Sequence, residues 1–431
     1  MRHLRLGHVG AALWVLAGCA LRDPLGDATD SQGTASTSDA ATTGSPTSDA
    51  PPTTSPTTTG PSPTTTGPTG GDPTDSASVG ETFCPCSCGE AIVDVRIAPV
   101  DVVFVLDKSG SMDNVPGGFW DHDADDLDLD GQSDFDPEQN MPATPEVSRW
   151  ESLRRVAEGT LNTFDRSLNA GLSLFPSRDA TNAFTLEGAC PVEVPIEVAI
   201  EPNHAQAILE VLPPATGGKL AGGTPASLAI AATVSALAAG DPAHARHIIY
   251  VTDGAAQCNG DAPEAFETYD ETLHDQVVQA LAVDTITSHI IGIEIEDVTS
   301  PVVLDGQPDA VNNHDRLNEL ATQGGAPRSG PEKFFNANTE EQLRAAFEEI
   351  VRDALPCTVV LEPPPHFPDT VEIRVNDVDY GKASVTDCAA ESGWRYLEPG
   401  RSIELCGTAC LDFQSAGSLD AQYRCGDSDC C

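Results

Sequence analysis

The chain has 431 residues, 22 of them Lys or Arg and 67 Asp or Glu, for a net charge of −45. That balance argues against nucleic acid as a partner and against electrostatic docking on anionic lipid. It suits a soluble, self-repelling protein that handles divalent cations, and the length allows one sizeable core plus smaller units.

Residues 1–18 read as an export signal: Arg2 and Arg5 precede a short apolar core, 9–17, too short to span a membrane permanently. The core ends in Leu16-Ala17-Gly18-Cys19, which is similar to a bacterial lipobox, with small residues for a signal peptidase and a thiol to receive diacylglycerol. Ala20 follows, not the aspartate that in some bacteria retains lipoproteins in the inner membrane, so the expected address is the outer membrane or cell surface. Thirteen cysteines less Cys19 leave 12, the even number a disulfide framework needs, and imply an oxidising compartment.

Residues 19–82 form a tether. Over 31–70 nearly every residue is Ser, Thr, Pro, Gly, Ala or Asp, and Pro-Thr-Thr-Thr-Gly recurs at Pro56 and Pro63. Without large apolar side chains nothing offsets chain entropy, and proline bias makes an extended spacer. At ~3.1 Å per residue it reaches on the order of 100 Å or more. The lead-in, 83–99, carries Cys84, Cys86 and Cys88, which in an exported chain predict disulfides rather than a soft-metal site.

Val102-Val103-Phe104-Val105-Leu106 is an unbroken apolar run, which predicts a strand buried on both faces of a parallel sheet. It runs into Asp107-Lys108-Ser109-Gly110-Ser111. In such sheets ligands bind beyond the carboxyl ends of the strands. One carboxylate and two hydroxyls there are hard oxygen donors of low total charge, suited to Mg²⁺ or Ca²⁺.

An insertion, 112–148, follows, and its centre, 121–136, contains no Lys or Arg. Asp126-x-Asp128-x-Asp130-Gly131-x-x-Asp134, with Asp136 beside it, resembles the calcium loops of EF-hand and thrombospondin-type repeats. Alternating carboxylates converge on one ion there, and Gly131 allows the sharp turn. Pro137 stands where an EF-hand loop has its glutamate, and flanking helices are not legible. A Ca²⁺ site and a solvated acidic loop are both open readings.

Strand and helix then alternate. Trp150, Leu153, Val156, Ala157, Leu161 and Phe164 lie at helical spacing and read as core. Strands are predicted at 172–175, 191–200 and 289–295, and helices from Asn203 and at 228–237, 273–283 and 315–322. Gly222-Gly223-Thr224-Pro225 places a threonine at a helix start, with Pro225 in the favoured first position. Ile248-Ile249-Tyr250-Val251-Thr252-Asp253-Gly254 is a second buried-type strand ending in an aspartate. Thr339-Glu340-Glu341-Gln342 is a capping box before Leu343, Phe347, Ile350 and Ala354. Repeated strand–helix units mean a largely parallel sheet with right-handed crossovers.

Asp-x-Ser-x-Ser, a later Thr and a later Thr-Asp-Gly, in that order, resemble the metal-ion-dependent adhesion site of a von Willebrand factor type A (VWA) domain, over about 100–355. The resemblance implies an α/β fold, a doubly wound and mostly parallel sheet with helices on both faces. It implies that Ser109, Ser111 and Thr224 ligate Mg²⁺, Mn²⁺ or Ca²⁺ directly, and that Asp107 and Asp253 hold the ion largely through water. An open coordination position then accepts an Asp or Glu carboxylate from a protein ligand. In such a fold the turn before Pro191 and the loop after Gly254 meet at the ligand-binding end, which implies a disulfide between Cys190 and Cys258.

In 356–431 the helical period stops. Val371 to Val375 alternates, 394–397 and 403–405 read as short strands, and seven cysteines accompany them. A unit with so little apolar content needs staples, so a small disulfide-rich β domain is expected. The functional expectation is a lipid-anchored cell-surface module that binds protein through its metal. No Ser/His/Asp, Cys/His or zinc-type arrangement suggests an enzyme. The alternative is a structural envelope protein whose metal only stabilises the fold.

Overall fold

The computed structural model describes residues 91–113 and 147–423, and the backbone of short strands at 119–120, 135–136 and 141–142. Cys19, the tether, the first cysteine cluster and Asp126, Asp128, Asp130 and Asp134 lie outside the described residues, and of Asp136 only the backbone is described.

In chain order the strands begin with β1 (Ala91–Arg96) and β2 (Val100–Asp107). Four two-residue strands follow, β3 (Phe119–Trp120), β4 (Phe135–Asp136), β5 (Met141–Pro142) and β6 (Val147–Ser148); β3 pairs with β6 and β4 with β5. Next come α1 (Arg149–Phe164), β7 (Asn169–Phe175), α2 (Leu186–Ala189), β8 (Val198–Pro202), α3 (Ala205–Val211), α4 (Ala226–Ala238) and β9 (Ala245–Thr252). Then α5 (Thr272–Asp284), β10 (Ile286–Ile293), α6 (Asn313–Gln323), β11 (Phe335–Ala337) and α7 (Glu340–Ala354) complete the alternation.

The main sheet has the order β11-β10-β9-β2-β7-β8, parallel throughout except for β8, which runs antiparallel at the edge. Counted by appearance this is 3-2-1-4-5-6, a doubly wound, VWA-like arrangement with β2 at its centre. The unbroken apolar run of β2 has its cause here. Val102, Phe104 and Leu106 join one core with α1, α3 and α7, while Val103 and Val105 join another with α4, α5 and α6. Helices α1 and α7 start where a side chain satisfies one of the first N–H groups. Ser148 accepts from Glu151 N at 3.1 Å, and Thr339 accepts from Gln342 N at 3.2 Å.

Two predicted strands are redrawn. The first, 191–200, shrinks to β8, because Pro191 and Pro195 have no N–H to offer a ladder. The other, 289–295, starts earlier and stops at Ile293, where Glu294 turns into the left-handed region at φ 54°.

The C-terminal part contains β12 (Thr358–Val360), β13 (Glu372–Val375), β14 (Val378–Gly381), β15 (Gly393–Glu398), β16 (Ser402–Cys406), α8 (Thr408–Ala416) and β17 (Ser418–Tyr423). Helix α8 is not foreseen by the sequence reading; its buried face is only Ala409, Phe413, Gln414 and Ala416. One antiparallel sheet is β12-β16-β15, and the other, β1-β17-β13-β14, takes its first strand from the lead-in. Disulfides Cys357–Cys410 and Cys388–Cys406 staple this part. Trp394, Phe413, Ile373 and Leu405 share one buried cluster with α1 and α7, so the β-rich part packs on the outer side of that helical layer.

Candidate metal centre

Three loops at the carboxyl edge of the main sheet bring five side chains together. Strand β2 ends at Asp107, fully buried, and a single 3-10 turn, Gly110–Met112, follows Ser109. Asp107 Oδ1 accepts the Ser109 backbone N–H at 2.8 Å, which folds the loop back so that both serine hydroxyls rise from it. Their Oγ atoms are 3.0 Å apart, and Ser111 donates to Asp253 Oδ1 at 2.9 Å.

The neighbouring strand β9 ends in Thr252, whose hydroxyl donates to Asp107 Oδ2 at 2.7 Å. Thr224 arrives from the third loop. Gly222 makes that loop possible: at φ 101° it lies so close to Ala189 that a Cβ would stand 2.5 Å from the Ala189 carbonyl oxygen. Its own carbonyl accepts Gly110 N–H at 3.2 Å, and the Thr224 carbonyl accepts Gln257 N–H at 3.0 Å, so the three loops are tied to one another. The Thr224 hydroxyl faces Gly254, next to Asp253. Pro225 lies just before α4, one residue outside the first helical position expected for it.

Cys190 and Cys258 are joined, with Cα atoms 6.0 Å apart, and bind the turn before Pro191 to the loop after Gly254.

The electrostatics of this centre call for a cation. Burial and the nearby Asp253 carboxylate push Asp107 up to about 7, against the opposing effect of its hydrogen bonds from Ser109 and Thr252. Burial raises Asp253 too, although Arg149 opposes it. Two buried carboxylates, two facing hydroxyls and an adjacent threonine form an all-oxygen donor set that fits a hard divalent ion. Bound there, such an ion would offset the repulsion and act as a Lewis acid toward an incoming oxygen. Ser109, Ser111 and Thr224 would hold it directly, with Asp107 and Asp253 behind them.

Several residues here have no role in the sequence reading. Arg149, the first residue of α1, reaches Asp253 Oδ2 at 3.1 Å and Glu294 Oε2 at 2.6 Å. Burial works against its charge, but Asp253 and Glu294 hold the guanidinium above its ordinary value. The only signal in the sequence is a cation where a helix start favours acids. Thr252 was visible only as part of a motif. Lys108 lies between Asp107 and Ser109 in the chain. It is buried, its Nζ has no hydrogen-bond partner among the described residues, and burial lowers it to about 8. Burial raises the nearby Glu197 to about 7.

Two hollows flank the centre. A groove of about 400 Å³ opens on the Asp253 side, lined by Arg149, Glu294, Glu296, Val298 and Asp305 among others. A smaller one, about 210 Å³, lies on the Ser111 side beneath Phe184 and Phe266.

No protein-family model and no curated relative matches the chain. Among solved structures it is similar to the pilus adhesin SpaC of Lactobacillus rhamnosus GG, at 13% identity over 78% of this chain and 41% of that one, with a TM-score of 0.42. It is similar to a von Willebrand factor type A protein from Catenulispora acidiphila, at 12% identity over 79% of this chain and 66% of that one, TM-score 0.37. It is similar also to the manganese-loaded TRAP protein of Plasmodium vivax, at 13% identity over 60% of this chain and 76% of that one, TM-score 0.33. The chain spans about two fifths of the pilus adhesin it matches.

Proposed function

We propose that this chain is a cell-surface binding protein, not an enzyme, that holds a divalent cation and through it takes an Asp or Glu carboxylate from a partner protein. The observation that carries this reading is the convergence of Asp107, fully buried, and Asp253, its side chain 0% exposed, on a pair of hydroxyls 3.0 Å apart at the open end of the sheet. Mg²⁺ or Mn²⁺ suits the set, and Ca²⁺ is the third candidate. The motif around Cys19 and the tether behind it support a lipid-anchored place in the cell envelope, at the outer membrane or cell surface. Among the described residues no helix is long and apolar enough to cross a membrane. The acidic run 126–134 is the proposed second, Ca²⁺-binding element.

The test is binding of surface proteins to the immobilised full chain in Mg²⁺ and in EDTA, beside the Thr224→Ala variant. Binding should need the cation and fall at least about tenfold in the variant. Equal binding in EDTA removes the reading. Cation uptake that raises the melting temperature without any cation-dependent ligand supports a purely structural ion instead. Cys19→Ser should release the protein from membranes.

A further inference from the structure

Arg149 and its partner each break a local rule. Arg149 opens α1, where the helix presents its positive pole and cations are disfavoured. Glu294 stands directly after β10 at φ 54°, a backbone that non-glycine residues rarely adopt. Departures of this kind collect at functional sites.

Together they place a permanent charge in the metal centre. Arg149 Nη1 is 3.1 Å from Asp253 Oδ2 and 3.4 Å from the Ser111 carbonyl oxygen. Nη2 and Nε contact Glu294 Oε2 at 2.6 and 3.2 Å. The Arg149 side chain is 15% exposed and that of Asp253 is 0% exposed, so water screens the pair poorly. Asp253 therefore has one oxygen on Ser111 and the other on a guanidinium that does not deprotonate.

We propose that Arg149 is a resident cation of this centre, sharing Asp253 with the divalent ion and setting both its affinity and its identity. The proposal rests on the metal reading above. Without the ion, Arg149 offsets part of the Asp107–Asp253 repulsion and keeps the rim assembled. With the ion present, its charge subtracts from the attraction. Glu294 tempers that subtraction from the solvent side. Because Oδ2 is held, Asp253 is not available as the bidentate ligand that Ca²⁺ readily uses, which favours smaller six-coordinate ions.

The experiment is calorimetric titration of the full chain with Mn²⁺ and with Ca²⁺, on the parent and on Arg149→Gln, Glu294→Gln and Thr224→Ala, with near-ultraviolet circular dichroism as the check on folding. Arg149→Gln should bind Mn²⁺ about tenfold or more tightly and gain still more for Ca²⁺, whereas Glu294→Gln should bind Mn²⁺ several-fold more weakly. A structural role for Arg149 predicts weaker binding in both. Unchanged or weaker binding by a folded Arg149→Gln overturns the proposal. Should that variant not fold, Glu294→Gln, at a half-buried rim position, decides: unchanged or tighter binding overturns it. Thr224→Ala separates the two readings. If it binds Mn²⁺ like the parent, the metal reading falls and this proposal with it; if it loses binding while Arg149→Gln gains nothing, only this proposal falls.

Discussion

Thr252 donates its hydroxyl proton to Oδ2 of Asp107 at 2.7 Å, across the ends of neighbouring strands β9 and β2. With the Ser109 N–H on Oδ1, it gives each oxygen of this buried carboxylate a donor and fixes its plane. Thr252→Val keeps the volume and removes the donor. The variant should lose about 1–3 kcal/mol of stability. Its Mn²⁺ affinity should fall roughly 10–100-fold, as for other residues that orient ligands from behind. Urea melts and calorimetry read the two effects, and an unchanged affinity would show that Thr252 does not orient the site.

Asp107→Ala should abolish Mg²⁺ or Mn²⁺ binding and leave the domain folded. Relief of the repulsion between two buried carboxylates offsets the hydrogen bonds lost from Ser109 and Thr252, so the variant should stay folded in EDTA. Saturating Mn²⁺ should then raise only the parent, by about 2.7 kcal/mol at a hundredfold excess over Kd. Equal Mn²⁺ stabilisation of both proteins is the contrary result.

The Cys190–Cys258 bond spans a sequence separation of 68 and lies at the rim, not in the sheet. Replacing both cysteines by alanine should cost about 2–4 kcal/mol. Hydrogen exchange should rise first in the loops around Ala189 and Gln257, with β2 and β9 still protected. Uniform loss of protection along the sheet would argue against this localisation.

Gln414 joins the C-terminal part to the main core. Its Nε2 donates to the carbonyl oxygens of Arg352 and Leu355, both at 2.8 Å, at the end of α7. Gln414→Ala should destabilise the whole chain by about 1–3 kcal/mol in a single transition, because two carbonyls lose their donor in a shared core. Two separate transitions would mean that the parts unfold independently.

His247 and His289 meet on adjacent strands, Nδ1 to Nε2 at 3.1 Å. Burial lowers His247 to about 4, and burial with the neighbouring His247 lowers His289 to about 3. Unfolded, both take up protons below about 6.5, which the folded pair refuses. Their contribution to stability is therefore complete above about 6.5 and is lost as pH falls toward 4 and 3, on the order of a few kcal/mol. Urea melts of the parent and of the His247→Gln/His289→Gln variant at pH 7 and pH 4.5 should show the steeper loss in the parent. Parallel losses count against the pair as the source.

The sheet and the clustering of five side chains at its carboxyl edge were legible because each rests on a local pattern. An apolar run covered on both faces gives β2, and three short motifs at strand and helix ends give Asp107, Ser109, Ser111, Thr224 and Asp253. What escaped notice depends on distant pairing. Arg149 gains its meaning from Asp253 and Glu294, 104 and 145 positions away. Helix α8 carries so narrow a buried face that its period does not stand out, and the union of β1 with β17 joins segments more than 300 positions apart in sequence.

Strand β1 pairs with β17 over six residues, from Ala91↔Tyr423 to Arg96↔Ser418. It then feeds, through residues 97–99, straight into β2, which ends at Asp107. A pull applied at Ala91 and resisted at Asp107 therefore has one short covalent route between the two. It passes through no helix and no long loop. Drawn along its own axis, β1 is loaded in shear, so all six pairs share the tension instead of opening one at a time. Beyond it, β2 lies clamped between β7 and β9 along its length. A load entering at β1 therefore reaches Asp107 along two consecutive strands, each held by its neighbours.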